Sequence, residues 1–220
     1  MMPITRRRFQ RILLGVLGAS LIPPARAAEL IEGRDWRALM PPQPVKDPGR
    51  IEVLEFFSYG CPHCGQLNPL IKTWAAGLPA DVTFERVPVT FGRAAWANVS
   101  RLYFALDQIG DLARLDQSVF DAISKERRNL FTEQAIVDWV ADQGVDAEQF
   151  KAAFSGFTTE TRFIRANALA ERYKVDAVPM IVVGGRYVVM GTAAKGYEDL
   201  FGIADGLIAK ARAGAAGQEG

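Results

Sequence analysis

Apolar and polar positions change their period along this chain, and the changes divide it into blocks. Ile51-Glu52-Val53-Leu54-Glu55-Phe56-Phe57 is a short apolar run closed by Ser58-Tyr59-Gly60, which has the character of a buried strand. Leu67, Leu70, Ile71 and Trp74 then recur three and four positions apart. Pro62 suits a first helical position, so the spacing predicts an amphipathic helix directly after a tight turn. A second strand is predicted over 81–91, carrying Val82, Phe84, Val87 and Val89. Strand–helix–strand units close as right-handed parallel pairs, which makes it the first strand's neighbour. From Arg93 to Tyr173 helical spacing dominates, with Gly110, Gly144 and Gly156 at helix ends. After Val178-Pro179, two β-rich runs, Met180 to Val183 and Arg186 to Met190, flank Gly184-Gly185. That is the pattern of a two-residue hairpin, whose turn positions favour positive φ. A last helix is predicted over 197–211.

The order β-α-β, helical block, then ββα predicts one α/β domain whose sheet is interrupted in sequence by a helical insertion. The insertion, about eighty residues, is too long for a loop. Leu30 to Arg50 is rich in proline and lacks a sustained period, so it reads as a loosely ordered lead-in, and Ala213 to Gly220 reads as a frayed tail. Phe57, Trp74, Trp96 and Trp139 are expected in the core.

With 220 residues, 49% of them hydrophobic, the chain is too apolar to be disordered. A net charge of +1 gives no general attraction to nucleic acid, so none is expected as a partner. No apolar run reaches the roughly 18 residues that span a bilayer. Residues 1–27 carry Arg6, Arg7, Arg8, Arg11 and Arg26 and no acid, around the apolar run of 11 residues from Ile12 to Ile22. Ala25-Arg26-Ala27 completes an export signal with cleavage after Ala27. Thr5-Arg6-Arg7-Arg8-Phe9 resembles a twin-arginine signal, and both that route and the general secretory route stay open. Without these residues 21 basic and 25 acidic side chains remain, a net charge of −4. Export would place the chain where a nearby cysteine pair can exist as a disulfide.

The chain has two cysteines and one histidine, all inside Cys61-Pro62-His63-Cys64. Two thiols one helical turn apart can open and close a disulfide with little backbone movement. Free N–H groups at a helix start favour an anion, so Cys61 is expected to ionise and Cys64, one turn deeper, is not. His63 adds a donor beside the thiolate and, when protonated, a positive charge. A stabilised thiolate favours the reduced form and makes the disulfide oxidising: a substrate thiolate attacks Cys61, and Cys64 leaves. Structural zinc needs four ligands where three are present, and c-type haem attachment needs histidine where Gly65 stands. An iron–sulfur cluster lacks two cysteines. No cofactor or resident metal is expected, although copper capture by the two thiols stays open as an alternative.

Glu55-Phe56-Phe57-Ser58-Tyr59-Gly60-Cys61-Pro62-His63-Cys64, with Val178-Pro179 ahead of a hairpin, resembles the DsbA family of bacterial periplasmic thiol:disulfide oxidants. The resemblance spans nearly all of the chain after the export signal. It implies a thioredoxin fold with an inserted all-helical domain. The parts would be an export signal (1–27), an extended lead-in (28–50), a first thioredoxin-like part (51–92), the helical insertion (93–165), a second thioredoxin-like part (166–213) and a flexible tail (214–220). It further implies that Pro179 is a cis proline facing the site, with Val178 offering backbone groups to a substrate strand. Pro62 shapes the site alongside it. Glu55 would be a buried acid moving protons around Cys64. Arg86 stands where the family has lysine and would pair with Glu55. The implied partners are reduced, incompletely folded exported proteins and a DsbB-like membrane oxidase, with the chain acting as a periplasmic monomer. Rival readings are a dithiol reductase or isomerase with a narrower client, for which no dimerisation segment is evident, and a copper-binding or holdase module. Two positions depart from the family: Asn68 replaces an acid and Gly65 an aromatic residue.

Overall fold

The computed structural model describes residues 30–192 and 194–216, and the expected export signal lies outside them. Strand β2 (Ile51–Phe57) is an interior strand of a mixed five-stranded sheet whose order is β1 (Trp36–Ala38), β5 (Tyr187–Val189), β4 (Met180–Val183), β2 and β3 (Val82–Pro88). It pairs in parallel with β3, Glu55 opposite Arg86, and antiparallel with β4, Phe56 opposite Met180. Helix α1 (Pro62–Ala76) makes the crossover between β2 and β3. Strand β2 is apolar almost throughout because both faces are covered. Val53 joins a cluster with Leu67 and Ile71 of α1 and with Phe201 and Leu207 of the last helix, α7 (Tyr197–Ala216). Leu54 and Phe56 point into the other cluster, where the Phe56 and Tyr173 rings lie 5.2 Å apart.

Between β3 and β4 the chain is helical: α2 (Ala94–Ile109), α3 (Leu112–Ser124), α4 (Glu133–Asp142), α5 (Ala147–Phe154) and α6 (Phe157–Arg172). Thr132 caps α4 by accepting from the Ala135 N–H at 3.3 Å, and Asp146 caps α5 by accepting from the Gln149 N–H at 2.7 Å. The expected boundary between insertion and second sheet part, at 165/166, falls inside α6. That helix continues unbroken to Arg172 and touches both α2 and β3, so it is shared by the two parts. Among the described residues no helix is long and apolar enough to cross a membrane.

Three local features differ from the sequence-based expectation. The lead-in is not loose: Trp36–Ala38 forms β1, antiparallel to β5 (Tyr187–Val189). The hairpin does turn on Gly184 and Gly185, at φ +60° and +61°, and the Arg186 N–H donates to the Val183 carbonyl at 3.1 Å. Pairing, however, resumes as Val183 opposite Tyr187, which leaves Arg186 in the loop. The cause is tertiary. Leu39 N–H donates to the Arg186 carbonyl at 2.7 Å and Gln43 N–H to the Gly185 carbonyl at 2.8 Å, so the lead-in takes up the loop's acceptors. Finally, α7 extends beyond the expected 211 to Ala216, into the segment expected as a flexible tail.

Candidate active site

Strand β2 delivers the chain to Ser58-Tyr59-Gly60, and Cys61 becomes the N-cap of α1 with Pro62 just inside it. A β-carbon on Gly60 would lie 2.7 Å from the Trp96 ring, so glycine lets the turn pass beneath that side chain. No side chain caps α1 and its first turn holds no acid, which leaves the helix's free N–H groups to the cysteine sulfur. Cys61 is 8% exposed and Cys64 fully buried, both as free thiols. His63 and Pro62 are exposed.

The two thiols are displaced in opposite directions. A hydrogen bond from Cys64 lowers the Cys61 pKa to about 6; burial opposes the shift, while the N–H groups of Cys64 and His63 and the His63 charge add to it. Burial pushes the Cys64 thiol up, reinforced by its hydrogen bond to Cys61 and by the charges of Cys61 and Glu55. The arrangement favours one thiolate and one thiol.

Val178 and Pro179 sit beside this pair. The Val178–Pro179 peptide bond is cis, and the Cys61 thiol donates to the Val178 carbonyl at 3.3 Å. Glu55 lies deeper. Arg86 Nε donates to Glu55 Oε2 at 2.6 Å, and both side chains are out of solvent, so this is an interior ion pair rather than one at a solvent-exposed strand end. Burial drives the Glu55 carboxyl above its ordinary value against the opposing Arg86 charge.

Asp116 of α3, which the sequence reading passed over, completes the group. Its Oδ2 accepts from Arg86 Nη1 at 2.9 Å and lies 3.3 Å from Lys72 Nζ, and its Oδ1 accepts from the Tyr59 hydroxyl at 2.7 Å. Burial disfavours its ionisation, but the Arg86 charge, the Tyr59 hydroxyl and Lys72 outweigh that and hold the carboxyl below the usual range. The sequence did carry a signal: Asp116 stands three and four positions before Val119 and Phe120, an acid within an apolar stripe. Asn68 is buried at the edge of the same group and donates to Gln117 Oε1 at 2.8 Å. Gly65 faces Phe120, where a β-carbon would come within 3.1 Å. Tyr197, also unforeseen, donates to Gln66 Oε1 at 3.0 Å and places its hydroxyl 3.4 Å from His63 Nδ1.

Residues 52–200 match the DSBA-like thioredoxin domain. A thiol:disulfide interchange protein DsbA of Pseudomonas aeruginosa is 39% identical over 191 residues, covering 87% of this chain and 90% of that one. One of Bordetella parapertussis is 36% identical over 205 residues, covering 93% and 97%. The crystal structure of Pseudomonas aeruginosa DsbA superimposes with a TM-score of 0.80 at 38% identity, covering 85% of this chain and 97% of that one. With a dithiol at the strand-to-helix joint of a thioredoxin fold, and these relatives along most of its length, the chain belongs to the DsbA-like family of thiol:disulfide oxidoreductases.

Proposed function

We propose that the oxidised chain donates its Cys61–Cys64 disulfide to reduced, incompletely folded exported proteins. The observation that carries this reading is the opposite displacement of the two thiols, Cys61 to about 6 and Cys64 upward. A substrate thiolate attacks Cys61 Sγ; the Cys61–Cys64 bond breaks, and Cys64 leaves with the electron pair and takes up a proton. A second substrate thiolate then attacks the substrate sulfur of the mixed disulfide. The bond to Cys61 breaks and Cys61 departs as a thiolate, which its low pKa makes a good leaving group. The substrate has lost two electrons and the chain has gained them as a dithiol.

The surrounding residues take supporting roles in this scheme. His63 tunes the thiolate and Pro62 starts the helix that holds it. Val178 and Pro179 receive the substrate strand, since the Val178 carbonyl already lies against Cys61 Sγ. Glu55, whose carboxyl burial raises above its ordinary value, relays protons to and from Cys64. A DsbB-like membrane oxidase restores the disulfide, in the periplasm, to which the segment 1–27 would direct the chain, and the chain acts as a monomer.

The deciding experiment follows refolding of a reduced, disulfide-dependent protein by the oxidised chain and by Cys61→Ser. Stoichiometric substrate oxidation with the unmutated chain and none with the variant is expected. Absence of oxidation by the unmutated chain would refute the reading.

A further inference from the structure

A cleft of about 610 Å³ opens between β3 and α6, and none of residues 58–64 or 178–179 lines it. On the strand side it is lined by Glu85, Arg86 and Val87, three residues in a row. Successive strand residues point to opposite faces, so a cleft touched by all three follows the strand's edge rather than one face. Strand β3 is the outermost in the sheet, with β2 as its single partner. Of its outward-facing backbone groups, those of Val82 are taken up by Pro79 and Arg50, and Pro88 has no N–H. Those of Phe84 and Arg86 are unpaired among the described residues and available to an added strand. Across the cleft, Arg162, Arg165, Leu169 and Arg172 of α6 also line it, three and four positions apart, as one helical stripe.

The charges along this cleft run against those of the chain. Residues 28–220 carry a net charge of −4, yet the cleft is lined by five cations and by Glu85 as its one acid. Three of the five are already matched: Lys46 with Glu85, Arg162 with Asp107, and Arg86 with Glu55 and Asp116. Arg165 and Arg172 have exposed side chains and form no ion pair among the described residues. They stand over an apolar floor that includes Val87, Phe104 and Leu169.

We propose that this cleft binds an extended acidic peptide segment carrying apolar side chains. Its backbone adds to the free edge of β3, its carboxylates meet Arg165 and Arg172, and an apolar side chain enters between Val87, Phe104 and Leu169. An unpaired strand edge supplies affinity for any extended chain, and the two unmatched arginines select an acidic one. The peptide is held through Arg165 and Arg172 rather than through the thiols, and it needs no cysteine.

The test titrates the full chain, isotopically labelled, with a cysteine-free blocked peptide of alternating glutamate and valine or leucine, and with its lysine counterpart. Saturable amide shifts centred on β3, α6 and the part of α2 around Phe104 are expected for the acidic peptide, with at least tenfold weaker binding of the basic one. The Arg165→Glu, Arg172→Glu double variant should also lose at least tenfold in affinity. Its oxidation of a neutral dithiol peptide should be unchanged and its thermal unfolding only slightly earlier, since both side chains are exposed and the one structural cost is the reversed charge of Arg172 in the last turn of α6. Equal binding of the two peptides, unchanged affinity in the double variant, or shifts centred on Phe91 and Val178 would each overturn the proposal. So would binding of anionic phospholipid vesicles through the same arginines with no response to the acidic peptide.

Discussion

Titrating Cys61 should put a visible break in the chain's redox behaviour. With a pKa of about 6, Cys61 in the dithiol form is about nine-tenths thiolate at pH 7. Relative to a thiol of ordinary pKa, that ionisation stabilises the reduced form by on the order of 1 kcal/mol, a few tens of millivolts for a two-electron couple. Solvent screening at the open side of the site makes this an upper bound. At pH 5 the contribution vanishes. Two protons accompany two electrons below the Cys61 pKa, and one above it, because Cys64 stays protonated. The midpoint potential should therefore fall by about 59 mV per pH unit below about pH 6 and by about 30 mV per unit from there to about pH 8. Equilibration against glutathione across this range, with alkylation and mass analysis, measures it. Folding stability follows the same linkage. Cys61 has a lower pKa in the folded reduced chain than in the unfolded one, so its stabilisation is fully present above the ordinary thiol value and is lost as pH falls through about 6. The stability of the reduced chain relative to the oxidised one should accordingly fall by on the order of 1 kcal/mol between pH 7 and pH 5. A single slope of about 59 mV per unit through pH 8 would refute the reasoning, because the oxidising power would then have lost its stated cause.

Arg86→Met leaves Glu55 and Asp116 buried without their shared cation and should lower stability by about 3–5 kcal/mol in urea unfolding, whereas Glu55→Gln in that background should recover part of the loss. His63→Ala removes the ring but keeps the backbone N–H, and the ring charge is the smallest of the influences on Cys61. Its pKa, read from alkylation rate against pH, should rise by about one unit or less. A larger rise would mean that imidazole rather than the helix start and Cys64 holds the thiolate. Gly185→Ala would set a β-carbon 2.2 Å from the Gln43 carbonyl oxygen at a positive φ. Thermal unfolding should show a loss of about 2 kcal/mol or more, while Gly202→Ala, with open space around it, should show little change.

How much could be read beforehand depended on whether a feature is local. The strand β2, the turn and α1 are encoded within 26 consecutive residues, and each carries its own signal in apolar period, breaker and first-turn proline. The Cys61–Cys64 pair lies inside that stretch. Strand β1 escaped because Trp36–Ala38 is three residues long, too short to display a period. It is a strand only because β5 offers it an edge. Asp116 escaped because 55 residues separate it from Cys61, and its partners come from β3, α1 and the turn after β2.

The amino-acid order alone determined the alternation of strands and helices, the hairpin glycines and the placement of two thiols at a helix start, since each rests on interactions within a turn or two of chain. Tertiary structure decided which buried charges neutralise one another, how the lead-in closes the sheet, and that Cys64 is sealed while the sulfur of Cys61 meets Val178 from far along the chain. Those outcomes depend on burial and on distances between segments remote in sequence, and neither exists until the helical block has folded back against the sheet.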